Sequence, residues 1–186
     1  MKITLIRHGM TPGNLEKRYI GRTDEALCPE GRTKLEKMKV PESEILVVSP
    51  MKRCIQTAEI LFPGQSPEIC EEMRECDFGD FENRTSEELS NDRHYQDWID
   101  SNGEMQFPNG ELPEDFRNRC CKAFERITKQ YSNAKSIAFV VHGGTIMAIM
   151  SRFSEPHKDY YNWMTGNASG WICEFDGRVL TKPEKI

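Results

Sequence analysis

Long apolar runs are missing from this chain of 186 residues. None approaches the roughly 20 residues needed to cross a bilayer, which argues against a membrane-spanning role. Paired cysteines are missing as well: the seven present are an odd number without any Cys-x-x-Cys spacing, so neither a zinc ribbon nor a complete disulfide framework is expected. Cys120 and Cys121 are adjacent on a predicted helix and are expected to be small buried apolar groups. Histidine is scarce, with four residues and no pair at helical ligand spacing, which gives no basis for a metal centre. Basic charge is not in excess either. With 25 Lys and Arg against 30 Asp and Glu the formal net charge is -5, which speaks against a nucleic-acid or membrane partner, although an arginine-lined pocket can be locally positive. No secretory apolar core is visible, since Met1-Lys2-Ile3 leads directly into a predicted strand, and a cytoplasmic location is expected. No linker-like or low-complexity stretch divides the sequence, so one domain over residues 1–186 is expected.

What is present is an alternation of strand and helix signals. Strands are predicted at Ile3 to Ile6, Ile45 to Val48, Pro67 to Cys70 and Ser136 to Val141. The continuous run Ile137-Ala138-Phe139-Val140-Val141 reads as a strand covered on both faces, the mark of a parallel sheet. Helices are predicted from Pro29 to Met38, from Lys52 to Phe62, and from Pro113, where Phe116, Cys120, Phe124, Ile127 and Tyr131 form one apolar stripe. Thr85-Ser86-Glu87-Glu88 reads as a capping box opening a helix that runs through Trp98. A last hairpin, Trp171 to Phe175 and Arg178 to Leu180 around Asp176-Gly177, supplies antiparallel edge strands. The expected class is α/β, a three-layer sandwich with a mostly parallel central sheet. The charged end of that hairpin discourages open-ended strand pairing, leaving monomer and homodimer both open.

Two histidines end predicted strands and are each followed by glycine: Arg7-His8-Gly9 and Val141-His142-Gly143-Gly144. The carboxyl ends of parallel strands are where such sheets bind ligands. Thr11 and Asn14 follow His8 in the same loop, and Arg53 arrives just past the strand Ile45 to Val48. Two arginines at two strand ends describe an anion clamp, because guanidinium is permanently charged and its planar fork takes two oxygens. His94 and His157 lack such company and are expected on the surface. Trp98, Phe107 and Trp163 are either core or pocket aromatics.

These segments, with Arg18-Tyr19-Ile20-Gly21-Arg22-Thr23-Asp24, Ser49-Pro50 through Arg53-Gln56-Thr57 and Met73-Arg74-Glu75-Cys76-Asp77-Phe78-Gly79, together resemble the histidine phosphatase superfamily, the phosphoglycerate-mutase-like group, along nearly the whole length. The resemblance implies that His8 attacks phosphorus, that Arg7, Arg53 and His142 hold the phosphoryl oxygens, and that Glu75 protonates the leaving alkoxide, without a cofactor. It further implies phosphate or substrate contacts from Thr11, Asn14 and Gly143. Arg18 and Arg22 belong to the same set, their placement against substrate or in solvent being open. Asp77, Asp80 and Glu82 stand near enough in sequence to replace Glu75. The expected partner is a small-molecule phosphomonoester.

Within that resemblance a short chain and Asp77-Phe78-Gly79 are similar to the phosphatase branch rather than the mutases, and Phe107-Pro108-Asn109-Gly110-Glu111 resembles a Pro-Gly-Gly-Glu stretch of bacterial alpha-ribazole phosphatases, which act on a cobalamin precursor. The chain departs from the pattern at Met10, Asn83, Leu112 and Thr145, of which Leu112 and Thr145 bear on pocket shape. A cofactor-dependent phosphoglycerate mutase and a noncatalytic phosphate-binding module are the alternatives, the latter opposed by retention of His8 and a carboxylate candidate.

Overall fold

The computed structural model describes residues 1–186. Six strands form one sheet: β1 (Lys2–Arg7), β2 (Ile45–Val48), β3 (Glu68–Ile69), β4 (Ser136–Val141), β5 (Ser169–Phe175) and β6 (Leu180–Lys185), in the order β3-β2-β4-β1-β5-β6. The first four pair in parallel, and β5 and β6 are antiparallel. Successive side chains of the central strands face opposite sides, so the sheet has two apolar faces. Ile3, Leu5, Ile137, Phe139 and Val141 pack with Phe124 and Ile127 of α5 (Pro113–Gln130) and Ile146 and Ile149 of α6 (Gly143–Phe153). Ile6, Leu46, Val48, Ala138 and Val140 pack instead on Cys54 and Ala58 of α3 (Lys52–Leu61), beside α2 (Pro29–Glu36). Helices on both faces make the three layers expected, and no helix is long and apolar enough to cross a membrane. All seven cysteines are buried and unpaired.

The differences from the sequence reading have identifiable partners. Thr85 and Glu88 do form the reciprocal capping bonds, 2.9 and 3.1 Å, but no helix follows: the segment stays in turns, and α4 (Arg93–Asp100) starts only after Asp92, whose carboxylate accepts from the His94 amide. The Glu88 oxygen that accepts from the Thr85 amide also takes a 2.9 Å ion pair from Arg18, and Arg18 bridges Thr85 in strand-like fashion. The last hairpin pairs Phe175 with Leu180, so its turn spans Asp176 to Val179 and the final strand runs from Leu180 to Lys185 rather than from Arg178 to Leu180. Asp176 accepts from the amides of both Arg178 and Val179, which fixes the longer turn. A short helix, α1 (Pro12–Leu15), and α6 had no predicted counterpart.

Candidate active site

Strand register builds the site. Arg7 lies opposite Val141 in the β1–β4 ladder, so the next residues, His8 and His142, leave the sheet side by side with ring centroids 5.2 Å apart. Ser49 leaves β2 in step with them, its amide donating to the Val140 carbonyl at 3.1 Å. His142 is also the N-cap of α6, so the first free amides of that helix face the same place, a favourable position for an anion.

Protonation states follow from the partners. Nδ1 of His8 lies 2.7 Å from the Gly9 carbonyl, which only accepts; Nδ1 therefore carries the proton and Nε2 keeps its lone pair. Burial, and then the positive fields of Arg53 and Arg7, hold His8 well below the ordinary imidazole value of 6.5, so the ring is neutral. His142 is held well below it too, first by burial and then by Arg53. Its Nε2 is 2.8 Å from the Ser49 hydroxyl, and its Nδ1 faces the Arg53 Nε–H at 3.4 Å. The Arg53 contact makes Nδ1 an acceptor and puts the ring proton on Nε2, donated to the Ser49 hydroxyl; because a hydroxyl also donates, Ser49 would equally support the reversed tautomer, in which Nδ1 presents a proton to an anion.

The two guanidiniums are held without being neutralised. Arg53 is fully buried on α3 and donates to the carbonyls of Thr23 and Gly21 at 2.8 and 2.9 Å. Arg7 donates from Nη1 to the Thr165 carbonyl at 2.7 Å, while its buried Nε–H has no protein partner. Neither is joined to a carboxylate. Sequestered cations of this kind are costly unless an anion completes them, and two of them beside a neutral imidazole form a site for a doubly charged group.

Glu75 faces this group. Its carboxyl accepts from the Cys76 amide at 3.1 Å and the Gly144 amide at 3.4 Å. Burial raises its pKa above the ordinary carboxylate value, opposed by the Cys76 amide and by Arg53 and Arg7, so a larger fraction carries a proton than in water. The neighbouring carboxylates are occupied elsewhere: Asp77 accepts from Gly79, Asp80 from Asn109, and Glu82 from the amides of Gly21 and Thr23. Beyond Arg7 and Glu75 opens a cavity of about 320 Å³ whose walls include Tyr19, Phe78, Trp98, Phe107, Phe116 and Tyr160.

Of the other residues singled out from sequence, Gly143 lines the cavity. Thr11 is buried but spends its hydroxyl as the N-cap of α1, and Asn14 is tied to the Thr11 amide and to Asn167. Arg18 does not reach the site: Glu16, Glu88 and the Asn83 carbonyl bind it 2.6 to 2.9 Å away. Arg22 stands at a second opening beside Glu75, 3.5 Å from Asp77. His94 and His157 are exposed, Trp163 is core, and Trp98 and Phe107 line the cavity. Ser49, Thr57 and Asn167 were not foreseen in the site. Thr57 accepts from the Gly9 amide at 3.0 Å, and Asn167 donates to the His8 carbonyl at 3.2 Å, so both shape the His8 loop. Ser49 and Thr57 sit inside the segment bearing Arg53, which was the available signal; Asn167 had none.

Residues 3–182 match the histidine phosphatase superfamily (branch 1). The chain is 32% identical over 158 residues to the uncharacterized phosphatase PhoE of Bacillus subtilis, covering 82% of this chain and 77% of that protein. It is 26% identical over 160 residues to the adenosylcobalamin/alpha-ribazole phosphatase of Escherichia coli K12, covering 82% and 78%. Among solved structures, the alpha-ribazole phosphatase of Shigella flexneri superposes with a TM-score of 0.85 at 22% identity, over 97% of this chain and 94% of that one.

Proposed function

The chain belongs to the histidine phosphatase superfamily and is a phosphatase, and we propose that it hydrolyses a small-molecule phosphomonoester in two steps through a phosphohistidine on His8. In the first step the Nε2 lone pair of His8 bonds to phosphorus as the ester P–O bond breaks, and protonated Glu75 gives its proton to the departing oxygen. In the second, Glu75 as carboxylate takes a proton from water while the water oxygen bonds to phosphorus, the N–P bond breaks, and inorganic phosphate leaves. Arg7, Arg53, His142 and the amides opening α6 carry the charge on the three equatorial oxygens, where fixed donors stabilise the transition state most.

The observation that carries this reading is a neutral imidazole with a free Nε2 set beside two guanidiniums, Arg53 buried and Arg7 partly so, that no carboxylate neutralises. For the substrate, alpha-ribazole 5'-phosphate is supported by the named relative from Escherichia coli and by the aromatic cavity next to Glu75, which suits the flat heteroaromatic base carried by the departing ribose alkoxide. The test is phosphate release over a panel of sugar phosphates, nucleotides and alpha-ribazole 5'-phosphate, with chelator present. Release survives the chelator and is highest on the ribazole ester; His8→Ala abolishes it. Release that persists in His8→Ala overturns the mechanism, and a sugar phosphate turned over faster overturns the substrate.

A further inference from the structure

The Phe107 to Glu111 stretch contributes more to this molecule than Phe107 at the cavity wall. It runs directly alongside the segment carrying Glu75: the Asp80 amide donates to the Pro108 carbonyl at 2.8 Å, and the Glu111 amide donates to the Asp77 carbonyl at 2.9 Å. Gly79 has φ +53°, and a Cβ there would lie 2.0 Å from the Pro108 oxygen, so the two chains meet closely enough to require glycine. Behind this contact stands Arg119 on α5. Its Nε donates to Glu111 at 2.7 Å and its Nη2 to the same carboxylate at 2.9 Å. Its remaining hydrogens go to main-chain carbonyls, Glu72 at 2.7 Å, Arg74 at 2.8 Å and Glu75 at 3.1 Å. All five N–H groups of a guanidinium are thereby used, three of them on the backbone at and just before Glu75. The guanidinium also lies over the Phe116 ring, 4.9 Å from its centroid.

This degree of anchoring is informative because Glu75 has little else to hold it. Residues 74 to 78 form no helix or strand, and the carboxyl itself has only the Cys76 and Gly144 amides. Its place is set through its main chain. We infer that Arg119, oriented by Glu111, is a positioning residue that fixes the backbone of Glu75 and thereby the distance from its carboxyl to the leaving oxygen. The inference rests on the assignment of Glu75 as general acid. Lysine cannot substitute, since an ammonium has three donors and no planar fork, whereas five acceptors converge here.

The experiment compares kcat/KM, which reports the steps through first phosphoryl transfer, for p-nitrophenyl phosphate and for a simple alkyl phosphate. An aryl leaving group needs little protonation and an alkyl one needs much. Three variants are measured: Glu75→Gln, Arg119→Lys and Glu111→Gln, with active sites counted by the phosphoenzyme burst so that misfolded protein does not enter the rates. Arg119→Lys is expected to lower the alkyl kcat/KM about 10–100-fold, as for a misplaced group, and the aryl value only about threefold or less. In the double variant with Glu75→Gln the Arg119→Lys change has no further effect on the alkyl ester, and Glu111→Gln reproduces the selectivity in smaller degree and serves in its place if Arg119→Lys does not fold. Equal loss on both esters, or additive losses in the double variant, overturns the positioning role while Glu75→Gln still discriminates. If Glu75→Gln itself does not discriminate, the acid assignment falls and this inference with it.

Discussion

Gly144→Ala separates the chemistry of Glu75 from the stability of the fold. A Cβ at this position would stand 2.6 Å from Glu75 Oε1 and 2.9 Å from two carbons of the Phe116 ring. Methyl and carboxyl cannot share that space, and the carboxyl, at the free end of a flexible side chain, is what gives way. Displacement of a reacting group on this scale costs about 10–100-fold in rate where proton transfer matters. Stability should change little, because alanine gains up to about 1 kcal/mol over glycine in a helix and overpacking costs about 1–3 kcal/mol. A net change within about 2 kcal/mol corresponds to no more than about 4–8 °C in Tm for a chain of this size. The assay is kcat/KM on an alkyl and an aryl phosphate, paired with calorimetry. A selective loss on the alkyl ester with a near-native Tm is expected. Parallel losses on both esters, or an unchanged alkyl rate, would refute the placement of the acid against α6.

The remaining predictions concern the charge of the site and its surroundings. Orthovanadate or inorganic phosphate should raise the Tm, since an anion completes Arg7 and Arg53; at 100 times its Kd the ligand adds about 2.7 kcal/mol, and Arg53→Met should remove most of that shift in a thermal scan. Stability should fall as pH drops below 6.5, because His8 and His142 stay neutral in the fold while unfolded imidazoles take up protons. The slope is roughly 1.4 kcal/mol per pH unit for each histidine. Glu75 acts with opposite sign, its contribution being complete below its unfolded pKa and lost as pH rises through the higher folded one. Urea titrations at pH 7 and pH 5.5 read the difference, and a flat profile refutes the depressed imidazoles. For the same reason kcat, which reports the bound complex, should have no acidic limb centred near 6.5. Arg18→Ala should leave kcat/KM within about twofold, as expected for a surface pair remote from the chemistry; a larger loss would return Arg18 to the substrate.

What could be read from sequence was what depends on nearby residues. The continuous apolar run of β4 and the histidines at the ends of β1 and β4 are local signals, and the parallel register then carried His8 to His142 with no further information. The hairpin turn is set locally by Asp176, but other failures involve partners from far along the chain. Thr85 and Glu88 are a well-formed helix opening, yet the segment is a turn to which Arg18, about 70 residues away, is paired. Gly143-Gly144 follows a predicted strand end with no helix signal of its own, yet begins a helix whose glycines leave room for Glu75 and Arg7. Four carboxylates between Glu75 and Glu82 look equivalent in sequence; they are distinguished by amides of Gly21, Thr23 and Gly79 and the side chain of Asn109, which occupy the other three.

The contrast among the arginines explains why such partners matter. Arg119 and Arg117 are joined to Glu111 and Glu104, and their positive charge is cancelled where it sits. Arg7 and Arg53 are held by carbonyl oxygens and, at the Arg53 Nε–H, by the neutral His142 ring. A carboxylate in that position would fix the guanidinium equally well, but it would also compete with the phosphoryl group for the same fork of donors. Main-chain dipoles constrain direction and leave the formal charge in place. Burial without neutralisation depresses both imidazoles, which keeps His8 unprotonated as the proposed nucleophile must be, and favours any bound dianion. The destabilising charge of the site and the phosphate affinity proposed for it therefore have one origin, so that substitutions easing the first should weaken the second.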